Sequence, residues 1–102
     1  MSEHRYRFTA PLWVWDARDD STWHFVTLPE DEADEIAAIT EGIRRGFGSV
    51  RVEVTVGSTT WRTSIFPSNG TFVLPVKKAV RTKVGAEAGD ALDVALRLLL
   101  DL

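Results

Sequence analysis

The sequence contains no cysteine. Disulfides, thiolate nucleophiles and zinc sites of the usual Cys-containing kind are thereby excluded, and a reducing, cytoplasmic setting is expected. No apolar run approaches the length needed to cross a bilayer, and Met1 is followed by Ser-Glu-His-Arg rather than by a basic segment and an apolar stretch. Neither a membrane partner nor a secretory leader is expected. Histidine is scarce, at two residues, and neither His4 nor His24 has an acid or a serine fixed beside it by local spacing. Such histidines are usually structural, so no catalytic residue, no metal and no cofactor is expected, and the chain is read as a non-enzyme. Asp16, Asp19 and Asp20 lack the glycine and terminal Glu of a calcium loop and are read as a hairpin turn.

What the chain does have is one domain's worth of apolar residues, 44% of 102, enough for a single core over residues 1–102. Its net charge of −3 conceals a segregation. Residues 1–43 balance to −7, residues 44–83 to +7 with Glu53 their one acid, and residues 84–102 to −3. A sequence pI near 5.3 argues against general polyanion binding, while a local anion site remains compatible with the basic middle.

Alternation of Tyr6, Phe8, Ala10, Leu12 and Val14 predicts a strand over residues 5–14, with Pro11 marking an edge or a bulge. The aromatic, β-branched run TWHFVTL returns as its antiparallel partner. Pro29 and the acids after it open a helix that closes on Arg44, Arg45 and Gly46, burying Ala33, Ile36, Ala37, Thr40 and Ile43. Strict alternation from Val50 to Val56, a Gly57-Ser58 turn and Thr59 to Phe66 predict a hairpin. Its register pairs Val54 with Trp61 and Glu53 with Arg62, the second as an external ion pair, while Trp61, Thr63 and Ile65 join the valines inside. FPSNG reads as a turn and TFVL as a short strand. A proline-started helix runs from Pro75 to about Lys83, with Val76, Ala79 and Val80 for the core, and stops at Gly85. Leu92 to Leu100 alternate as the last strand. The expected class is mainly β with two helices.

RGFGSVRVEVTVG, WRTSIFP and LPVKKAVRTKVGAEAGD resemble a widespread family of small bacterial proteins catalogued as a domain of unknown function, over Phe8 to Leu98. The resemblance implies a small double-split β-barrel, a pseudo-barrel capped by helices, and no established activity. Within it, VRTKVGAEAGDALDV is similar to the helix, turn and strand of AbrB- and MazE-type transcription factors. That similarity implies DNA binding as an alternative function. It leaves monomer and homodimer both open, because two chains interlace to complete the barrel in the AbrB type.

The candidate contacts for an anionic small molecule or partner are Arg44, Arg45, Arg51, Arg62, Lys77, Lys78 and Arg81, since several cations around one concavity would bind phosphate or carboxylate. Taken alone, Lys77, Lys78, Arg81 and Lys83 are an ordinary solvated helix face. RRGFGS, residues 44–49, reads as a glycine helix stop before it reads as an anion nest. Trp13 and Trp15 share a strand face near Arg18; packing beneath the acidic helix is the first reading and stacking of a ring or base the second.

Overall fold

The computed structural model describes residues 4–16, 22–44 and 48–100. Within them lie strands β1 (Arg5–Asp16), β2 (Thr22–Thr27), β3 (Val50–Val56), β4 (Thr59–Ser68), β5 (Thr71–Pro75) and β6 (Ala91–Leu98), with helices α1 (Glu30–Ile39) and α2 (Lys78–Val84). The strands close in the order β1-β2-β5-β4-β3-β6, every pair antiparallel.

Two strands serve both halves of the wall. β1 pairs with β6 from Arg5 to Pro11 and with β2 from Leu12 to Asp16. β4 pairs with β3 from Thr59 to Ile65 and with β5 from Phe66 to Ser68. These changes of partner are the double split. Pro11, which has no N–H to give a ladder, stands where β1 is handed over, and Pro67 stands one residue past the same point in β4. The chain therefore repeats a strand, strand, helix, strand unit, first as β1-β2-α1-β3 and then as β4-β5-α2-β6.

Register fixes where the helices sit. Thr27 pairs with Val73, Val50 with Ile65 and Val52 with Leu98, so α1 bridges β2 to β3 at the end where β6 finishes. Phe25 pairs with Pro75 and Pro11 with Ala91, so α2 bridges β5 to β6 at the opposite end. Ala33 and Ile36 bury into one end of the core, Val76 and Val80 into the other. Between them Val52, Val54 and Val94 are wholly buried, each removal of such a side chain from water being worth about 1.5–3 kcal/mol. The predicted hairpin register holds at every position: Gly57-Ser58 is the whole loop, Val54 faces Trp61 and Glu53 faces Arg62. Ile65 is buried, whereas Trp61 and Thr63 are only partly so.

Several boundaries differ from the sequence expectation for local reasons. α1 stops at Ile39: the Thr40 N–H and hydroxyl both donate to the Ile36 carbonyl, and Gly42 at φ +84° turns the chain away. Arg44 therefore lies outside the helix, and Ile43, expected inside, is 45% exposed. Arg45, Gly46 and Phe47, like Arg18, Asp19 and Asp20 of the first hairpin loop, fall outside the described residues. FPSNG is mostly strand, because β4 runs through Pro67 to Ser68 and the turn is Asn69-Gly70 alone, at φ +50° and +82°. Pro75 ends β5 rather than opening a helix; α2 begins at Lys78 behind an extended Lys77 and stops at the left-handed Gly85 as predicted. This shift leaves Ala79 exposed. Trp15 is not under α1 but 55% exposed on the outer wall, while Trp13 packs on Phe25 at 5.1 Å and donates through Nε1 to Thr27 Oγ1 at 2.8 Å.

Candidate anion-binding site

The seven predicted cations do not share one hollow. Arg45 lies outside the described residues, and the other six fall into three places. Arg62 faces outward from β4 and is held by Glu53, Nε to Oε2 at 3.3 Å, in a cluster completed by Arg97 Nη2 on Glu53 Oε1 at 3.1 Å. The hydrogen bond from Arg97, then that from Arg62, holds the Glu53 carboxyl below its ordinary range. That carboxylate is already satisfied by two cations, so Arg62 is occupied.

Lys77, Lys78 and Arg81 sit at the α2 end. Lys77 and Lys78 are exposed, and Arg81 turns back to donate Nη1–H to the Val76 carbonyl at 2.8 Å, which fastens the start of its own helix. Arg81 also lies near His24, whose ring faces this end of the barrel with Nδ1 buried and unpartnered. Burial, then the Arg81 charge, pushes the His24 pKa down and keeps the ring neutral.

Arg44 and Arg51 are brought together at the α1 end. They line one open cavity of about 160 Å³ with Thr40, Ile43, Ser49, Val50, Leu99 and Leu100. Three segments build it. The connection from α1 supplies Thr40, Ile43 and Arg44; the first residues of β3 supply Val50 and Arg51; and the stretch after β6 supplies Leu99 and Leu100, held by the Leu99 N–H on the Arg51 carbonyl at 2.9 Å. Arg51 projects outward because Val50 and Val52 take the inward positions of β3. The Arg44 guanidinium lies over the Phe72 ring, 6.0 Å from its centroid, within reach of a cation–π attraction. Gly48, at φ +74°, has Pro67 Cγ 3.0 Å from where a Cβ would stand, so the chain entering Ser49 passes tightly against β4. Among the described residues, neither Arg44 nor Arg51 has a carboxylate within ion-pairing distance.

Residues 8–96 match the family described as a domain of unknown function, DUF1905. The chain belongs to this family. No curated protein matches it. The match begins three residues into β1 and ends two residues before the end of β6, so it takes in part or all of every barrel strand of the DUF1905 domain together with Arg44, Ser49 and Arg51; Leu99 and Leu100 lie beyond it. No helix of the domain is long and apolar enough to cross a membrane, among the described residues.

The cavity of this DUF1905 domain is lined by two arginines, Thr40, Ser49 and the apolar side chains of Ile43, Val50, Leu99 and Leu100. Sequence reading found Arg44 and Arg51 through charge bias. Ser49 entered that reading only as the end of the RRGFGS segment, Thr40 only within the α1 apolar stripe and Leu100 only as the end of the last strand, while Leu99 was not singled out.

Proposed function

We propose that this DUF1905 domain is a non-enzymatic binding module, cytoplasmic in setting, that takes an anionic small molecule at the α1 end through Arg44 and Arg51. The observation that carries the reading is the pair of arginines, without a described carboxylate partner, on one cavity with the Ser49 hydroxyl. Arginine's planar fork binds carboxylate or phosphate oxygens bidentately, and a second fork at the same hollow adds both charge and orientation. Lys77, Lys78 and Arg81 are assigned to the fold and its solvated end face rather than to this ligand. The AbrB-like, DNA-binding alternative has less support, since the cations lie at opposite ends of the barrel and the acids of α1 stand at the same end as the cavity. A phosphate backbone favours a continuous basic face.

Thermal shift of the full chain against an anion panel at constant ionic strength tests the proposal, because a ligand of the native state raises its melting temperature. Binding anions are expected to raise Tm in the wild type and R62A, and to do so far less in R44A or R51A. A response equal in all four proteins, or absent from the wild type, sinks the proposal.

A further inference from the structure

We infer that the anion taken by the Arg44/Arg51 cavity is a short-chain carboxylate, a charged head carrying an apolar tail of about three carbons. The inference rests on the anion-binding reading and adds to it the class of molecule bound.

Size gives the first constraint. A cavity of about 160 Å³ is close to the roughly 150 Å³ that accommodates benzene, a molecule of six heavy atoms. Butyrate also has six heavy atoms. A nucleotide, a sugar phosphate or a strand of nucleic acid is several times too large to be enclosed.

The lining gives the second. Arg44 and Arg51 provide the charge and Thr40 and Ser49 the neutral polar groups, while Ile43, Val50, Leu99 and Leu100 make the rest of the wall. The Thr40 hydroxyl already donates to the Ile36 carbonyl at 2.7 Å, so towards a ligand it is chiefly an acceptor. Inorganic phosphate or sulfate presents oxygens in every direction, and those turned to the isoleucine and leucines would be stripped of water without receiving a hydrogen bond. A carboxylate confines its two acceptors to one end, where a guanidinium fork matches them, and offers methylenes to the other. Ile43 adds a third sign, since it is 45% exposed beside two charged side chains in a fold that buries Ile36 and Ile65 completely. A tail lying against it would cover that surface.

The test is a ligand series read by thermal shift and by isothermal calorimetry on the full chain: acetate, propionate, butyrate, hexanoate and inorganic phosphate, all at one ionic strength. From acetate to butyrate the affinity is expected to rise about fourfold per methylene, the increment for burying a CH₂, and then to level off at hexanoate as the tail leaves the open mouth. Leu100→Asn should flatten the series, bringing the ratio of butyrate to acetate affinity within that variant towards one, and Ile43→Asn, at a site already exposed, gives the same within-variant ratio should the first variant fail to fold. R51A should abolish the whole series. A stronger response to phosphate than to butyrate, or equal affinity from acetate to hexanoate, overturns the carboxylate assignment and leaves an anion site standing. Silence from every anion removes both.

Discussion

The two strand-strand-helix-strand halves of the barrel occupy equivalent positions and differ most in the path the chain takes on leaving the helix. After α2 it is pulled straight into β6. Gly85 reverses it at φ +70°, Asp90 Oδ2 accepts from the Glu87 N–H, and the 89–90 backbone exchanges hydrogen bonds with Leu12 at 2.7 and 2.9 Å. After α1 the path to β3 is longer, residues 40–49 against 85–90, and the extra length is what walls the Arg44/Arg51 cavity. The same supersecondary unit thus ties its connection to β1 in one half, beside an open hollow of about 300 Å³ lined by Lys78, Arg81 and Glu87, and in the other walls the smaller Arg44/Arg51 cavity. Symmetry of backbone did not carry symmetry of side chains: α1 opens with Glu30, Asp31 and Glu32, whereas the last turn of α2 holds Arg81 and Lys83.

The largest expected effect comes from the glycines of these two connections. Gly48→Ala forces a left-handed backbone on a residue with a Cβ and drives that Cβ against Pro67, so a loss of about 2–3 kcal/mol is expected by urea denaturation. Gly85→Ala meets the same backbone cost with open space around the new methyl, and about 1 kcal/mol is expected. Equal losses would mean that the cavity connection is no more tightly held than the one after α2.

How much of this was legible in the sequence depends on the range of the forces involved. The β3–β4 hairpin register was readable because Val-x-Val alternation and a Gly-Ser turn admit one pairing, and the Gly85 stop because a left-handed residue favours glycine. The α1 terminus was not, since the apolar stripe continues to Ile43 and only the Thr40 hydroxyl and Gly42 divert the chain. The repeat of the two halves left no trace in residue identity, because each half needs only a pattern of inward apolar positions. The separation of the cations was legible in part: the hairpin register already paired Arg62 with Glu53, whereas Arg97 reaching the same carboxylate from β6 and Arg51 lining the α1-end cavity depend on contacts distant in sequence.

A smaller effect separates the ends by pH. Glu32 at the α1 end has a buried, unpartnered Oε1, and burial, then Asp31 and Glu35, pushes its pKa above the ordinary 4.5. The folded state then takes its proton first, so this group adds stability as pH falls through the raised value toward 4.5 and detracts from stability above it. His24 at the α2 end acts in the opposite sense. Its folded pKa lies below the ordinary 6.5, so it contributes nothing above 6.5 and costs stability as pH falls from there toward its folded value, where the unfolded chain is protonated and the folded one is not. Glu32→Gln is expected to raise Tm at pH 7, and His24→Phe to remove part of the decline below pH 6.5. Melting curves across pH 4.5–8 check both, and a Tm at pH 7 lowered by Glu32→Gln breaks the contrast.

The smallest effect distinguishes the two sets of arginines. Glu53 is held below its ordinary pKa by Arg97 and Arg62, so its contribution is present above 4.5 and is lost as pH falls through the depressed value in the folded chain. Glu53→Gln should therefore flatten the acid limb of the stability curve, whereas R44A and R51A, which have no described carboxylate to release, should leave that limb unchanged. Within the cluster, Arg97 is 29% exposed at 3.1 Å and Arg62 is 61% exposed at 3.3 Å. Solvent screens the second pair more, and a long exposed side chain loses more freedom in holding one geometry. Double-mutant cycles at pH 7 are expected to give a larger coupling for Glu53 with Arg97 than with Arg62. The reverse order would mean that the adjacent hairpin strand, rather than β6, fixes the carboxylate, and Arg62 would then be as firmly committed to structure as Arg97.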